Sequence, residues 1–104
     1  MTTYEGLFIL NPELQGEHLE KEMDFIKNEI VKQRGEIAEA KLLGRRRLAY
    51  PIKKMRDGIY LLVNFASQTD VVDKFLKRVA LNASVLRSGV FLKGKGSQLN
   101  EIRD

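Results

Sequence analysis

The sequence predicts an α+β sandwich, a four-stranded antiparallel sheet with two helices on one face. Three observations carry this. Compact apolar and aromatic runs bounded by turn residues mark strands, while two segments repeat their apolar residues with the helical period of about 3.6. These segments follow in the order strand, helix, strand, strand, helix, strand. A chain of 104 residues supports one hydrophobic core without help from metals or disulfides.

Tyr4 to Leu10 is an apolar run that stops at Asn11-Pro12, a turn-forming pair, and makes the first strand. Pleating puts Gly6, Phe8 and Leu10 on one side and Glu5, Leu7 and Ile9 on the other. From Gly16 onward, Leu19, Met23, Ile26 and Ile30 align on one helix face. Acids crowd the first half of this helix and Lys32 and Arg34 its end, as the helix dipole favours, and Gly35 is the expected stop.

Ile37, Ala38, Ala40, Leu42 and Leu43 lead through Gly44 to Leu48, Ala49 and Tyr50, a long strand bent near the glycine. Pro51 lacks a ladder donor and assigns this strand to a sheet edge. Asp57-Gly58 is expected to turn the chain into the most apolar strand, Ile59 to Ala66, antiparallel to its predecessor. Thr69 or Asp70 caps a second helix with Val72, Phe75, Leu76 and Val79 as its stripe and Lys74, Lys77 and Arg78 at its wet edge. Val85 to Lys93 forms the last strand. Residues 1–95 read as a single domain and 96–104 as a C-terminal tail. Two right-handed crossovers around a central hairpin then give the ferredoxin-like βαββαβ arrangement.

Net charge is only +4, but six of the 18 basic residues, Arg45, Arg46, Arg47, Lys53, Lys54 and Arg56, lie between positions 45 and 56 with no acid among them. The other 12 face 14 acids, so the basic character is local. Residues 1–40 carry nine acids against four bases, and Arg87, Lys93 and Lys95 form a weaker basic set near the C-terminus. This asymmetry suggests one surface that meets phosphate and another that faces water. Absent cysteine excludes disulfides and thiolate chemistry and fits a reducing compartment. The N-terminus shows no signal-peptide pattern and no stretch approaches a membrane span, so a soluble cytoplasmic protein is expected.

Enzyme motifs are missing. There is no glycine-rich phosphate loop, the single histidine, His18, lies among acids at a helix start, and no nucleophile pairs with a base. Acyl-phosphate hydrolysis on this fold needs an arginine cradle after the first strand, where this chain reads NPELQG. Neither metal nor cofactor is expected. An RNA-recognition module would stack bases on aromatics of the central strands, but the aligned stretch DGIYLLVN has Asp57, Ile59 and Asn64 where the basic and aromatic residues belong. RNA, if bound, is therefore met by arginine and lysine contacts to its backbone.

If Phe8, Leu10, Leu61, Val63, Phe65, Val90 and Leu92 face the helices, then Leu7, Ile9, Tyr60, Leu62 and Phe91 lie on the open side, more apolar surface than the fold itself covers. That excess suggests a protein partner. In GRRRLAYPIKK, residues 44–54, Leu48, Tyr50 and Ile52 serve strand packing while the cations form a phosphate or partner surface. Alternation sends Arg45 and Arg47 to one side and Arg46 to the other.

The order G-x-R-x-L-A-Y-x-I-K, from Gly44 to Lys53, resembles the signature of the bacterial small-subunit ribosomal protein six family. YEGLFILNPEL resembles that family's opening strand and turn, and RSGVFLKG its closing strand, so the likeness runs from Tyr4 to about Lys95. It implies a non-enzymatic component of the small ribosomal subunit that binds the central domain of 16S ribosomal RNA with small-subunit ribosomal protein eighteen, and that is a monomer when free. Candidate RNA contacts are Tyr4, Arg45, Arg46, Arg47, Lys53, Lys54, Arg56, Arg87 and Lys93. Candidate partner contacts are Arg46, Leu48, Tyr50, Tyr60, Leu62, Phe91 and, in the tail, Leu99 and Ile102. The tail lacks the glutamate-rich extension of some members. An alternative is an interaction or ligand-sensing module that self-associates through its sheet, and sedimentation of the isolated protein separates the two.

Overall fold

Strand β1 (Thr2–Leu10) lies mid-sheet, antiparallel to β3 (Met55–Ser67) on one side and β4 (Val85–Leu92) on the other. In this computed structural model the described residues are 2–92, together with the backbone of 102–103. Among the described residues β2 (Glu36–Ile52) pairs only with β3 and forms one edge, in keeping with Pro51. At the other edge a two-residue β5 (Ile102–Arg103) pairs with Gly89 and Ser88, giving the order β2-β3-β1-β4-β5. Ferredoxin-like topology is thus present with one short strand added from the tail, whose sparse apolar content gave no strand signal.

Helix α1 (Gly16–Lys32) and helix α2 (Val72–Ala80) cover one face of the sheet. Ile26 and Ile30 of α1, and Phe75, Leu76 and Val79 of α2, are buried against Phe8, Leu10, Leu61, Val63 and Phe65. The rings of Phe8 and Phe65 meet Phe75 edge-on at 5.8 and 5.9 Å. Leu92 shares this face but lies at its margin, 47% exposed. Between the helices, Glu29 is buried and accepts a 2.6 Å hydrogen bond from Arg78 Nε, with Lys32 at 3.7 Å on its other oxygen. That bond, more than the surrounding charge, holds the Glu29 carboxyl below its ordinary value and the Arg78 guanidinium above its own.

Three local expectations are corrected. The β2–β3 turn is Lys53-Lys54, with Ile52 opposite Met55 and φ of 50° and 68°, while Asp57-Gly58 lies inside β3. Paired positive φ angles suit a strand-matched two-residue hairpin, and here the chain places two lysines in them. Neither Thr69 nor Asp70 caps α2; a short 3-10 turn, Thr69–Val71, precedes that helix and Thr69 Oγ1 accepts from the Tyr4 hydroxyl at 3.2 Å. At the end of α1 the left-handed residue is Arg34, at φ 65°, rather than Gly35.

The bend at Gly44 is as the sequence suggests. Its φ is 97° and the β2–β3 register shifts between Leu42 and Gly44. A larger irregularity follows: Leu48 to Pro51, four residues, stand against the single Arg56 between the Arg47–Asp57 and Ile52–Met55 pairs.

Candidate nucleic-acid and protein interface

The face of the sheet away from the helices is best read as rows across the strands. Register aligns Glu39, Asn64, Glu5 and Phe91 in one row, then Lys41, Leu62, Leu7 and Gly89, then Gly44, Tyr60, Ile9 and Arg87. Arg46 opposite Gly58 belongs to the next. Two residues along a strand advance about 7 Å, so the acidic row and the Arg87 row lie about 14 Å apart.

At the basic end the extra residues of β2 fold the chain over the sheet. Leu48 and Ile52 pack with Ile9 and Leu86 into a second, smaller core, joined by Met55 and Tyr60. Leu86 reaches this face because β1–β4 pairing slips between Ile9 and Leu10, leaving Leu86 as a bulge residue between Val85 and Arg87. Part of the apparent excess of apolar surface is therefore covered by the protein itself. The slip depends on pairing between strands distant in sequence, so it had no local signal.

Tyr50, 53% exposed, stands at the rim of this folded-over segment. Arg87 Nη1 donates to its hydroxyl at 2.6 Å and the guanidinium lies 5.4 Å from its ring centroid. Lys53 Nζ donates to the Val85 carbonyl at 3.3 Å, fastening the hairpin to the start of β4. Tyr50 lines two depressions of about 120 Å³, one shared with Ile9, Tyr60 and Arg87, the other with Arg47, Pro51 and Arg56. Cations from three strands thus gather at one end of the molecule, where guanidinium and ammonium donors can meet phosphate oxygens.

Other candidates are placed differently. Arg45 pairs with Ile59 on the helix-facing side and its guanidinium donates to the Pro12 carbonyl, whereas Arg46 lies on the open face, as alternation predicts. Tyr4, expected among the RNA contacts, is 6% exposed, stacked on Phe65 at 5.7 Å and bonded through its hydroxyl to Thr69, so its side chain serves the core. Leu48 at 8% and Phe91 at 7%, expected among the partner contacts, are also buried. Tyr60 and Leu62 are half-buried, and Lys54 and Arg56 exposed. Lys93 and Leu99 fall outside the described residues, and Ile102 is described only by its pairing with Gly89.

Residues 3–91 match the family model described as Ribosomal protein S6. The small ribosomal subunit protein bS6 of Campylobacter hominis is 36% identical over 102 residues, covering 98% of this chain and 68% of that protein. Its counterpart in Clostridium acetobutylicum is 38% identical over 87 residues, 84% of this chain and 92% of that one. The crystal structure of the 30S ribosomal protein S6 of Thermotoga maritima superposes with a TM-score of 0.82 at 25% identity, covering 88% and 87% of the two chains.

Proposed function

The chain belongs to the ribosomal protein S6 family, and from that premise we propose that it binds the central domain of 16S ribosomal RNA as a heterodimer with small-subunit ribosomal protein eighteen. As a member of that family it is a structural protein of the small ribosomal subunit, not an enzyme, and works in the cytoplasm within the ribosome. The observation that carries the RNA reading is the convergence of Arg46, Lys53, Lys54, Arg56 and Arg87 at one end of the sheet, with Arg87 set against Tyr50 and Lys53 tied to Val85. Tyr50, Tyr60 and Leu62, exposed or half-buried on the open face, supply the apolar part of the partner contact.

Few phosphates can be neutralised by so local a cluster, so RNA binding by the isolated chain is expected to be weak and the partner to supply the rest. The test is filter retention of a central-domain RNA fragment with and without protein eighteen. Tight, salt-sensitive binding only in the presence of the partner agrees with the proposal. Equal binding with and without it would contradict cooperative assembly.

A further inference from the structure

The acidic row at the far end of the open face is unlike the rest of that face. Glu5 on β1 and Glu39 on β2 flank Asn64 on β3, and Glu36 lies further along β2 on the same side. Lys41, in the neighbouring row, is a single ammonium against these carboxylates. Asn64 is only 7% exposed, and its Nδ2 donates to Glu39 Oε1 at 3.3 Å. Its Oδ1, on the other arm of the amide, is buried with no hydrogen-bond partner among the described residues. A buried acceptor left unpaired is costly, and a donor arriving from outside removes that cost.

Phosphate is excluded here by charge. An arginine side chain suits the row: its planar guanidinium has five donors, enough for the Glu5 and Glu39 carboxylates and Asn64 Oδ1. Leu7 and Leu62, half-buried in the next row, offer apolar surface for its stem. We propose that Glu5, Asn64 and Glu39 form a seat for an arginine of a basic protein partner, at the opposite end of the sheet from the cations assigned to RNA. This rests on the reading of the open face as the partner surface, with small-subunit ribosomal protein eighteen as the partner.

The test is isothermal titration of protein eighteen into the wild-type chain, the double variant Glu5→Gln/Glu39→Gln, and Glu39→Lys, with thermal melting of each. Wild type is expected to pair, the double variant to pair at least about tenfold more weakly, and Glu39→Lys to lose more, because a repelled guanidinium cannot be accommodated. Glu39 is exposed on an edge strand, so Glu39→Lys decides the matter if the double variant folds poorly. Pairing by wild type and all folded variants with one affinity would overturn the seat and leave the partner assignment standing. Failure of wild type itself to pair would overturn both. Unchanged pairing accompanied by weakened RNA binding would overturn the seat in favour of an RNA contact.

Discussion

A methyl group on Gly58 would stand 2.3 Å from Ile9 Cγ2, so the glycine is required by close packing of β1 on β3. Gly58→Ala is expected to cost about 1–3 kcal/mol, read from the urea midpoint at unchanged slope. Wild-type stability would show that Ile9 moves aside freely. The sequence announces Asp57-Gly58 as a turn because that dipeptide is the usual hairpin signal, and only the contact with a strand nearly fifty positions away reveals its actual role. Tyr4 is similar. An aromatic near the N-terminus reads equally well as a surface or a core residue until Phe65 and Thr69 are brought beside it.

Elements were legible where their apolar period was strong. The stripe through Ile26 and Ile30 and that through Phe75, Leu76 and Val79 are buried as the spacing predicts, and the bend at Gly44 lies where expected. Joints between elements were not. Lys53-Lys54 forms the β2–β3 turn although each lysine takes a left-handed backbone, at a cost of about 1 kcal/mol or more per residue. Lys53→Asn/Lys54→Gly is therefore expected to raise stability by about 1 kcal/mol while weakening RNA binding by the protein pair. Stability that falls instead would show that the Lys53 contact with Val85 outweighs the strain.

The latch between α1 and α2 gives a pH dependence. The folded value of Glu29 is depressed below 4.5, first by the Arg78 hydrogen bond, so its contribution is complete above the unfolded value and lost as pH falls through the folded one. Wild type is expected to exceed Glu29→Gln in stability between about pH 5 and 7, modestly because Arg78 is half in solvent, with the gap closing under more acidic conditions. Denaturant unfolding across that range checks this, and a gap that persisted in strong acid would contradict it.

The whole molecule is a sandwich with its helices on one side and a polarised sheet face on the other. The local basic cluster and the apolar open face were both visible in the sequence. The fold-over of Leu48 and Ile52 onto Ile9 and Leu86, and the acidic row at Asn64, emerge only when register aligns four strands. Arg46 and Arg87, on different strands, converge on this basic end and carry the claim that it meets RNA. The most direct measurement is the salt dependence of central-domain RNA binding by the heterodimer, wild type against Arg46→Ala/Arg87→Ala. Removing one cation from a phosphate lowers the slope by about one, so the double variant is expected to fall by about two, with weaker binding at every salt concentration. Affinity and slope both equal to wild type would contradict the assignment of this surface to RNA.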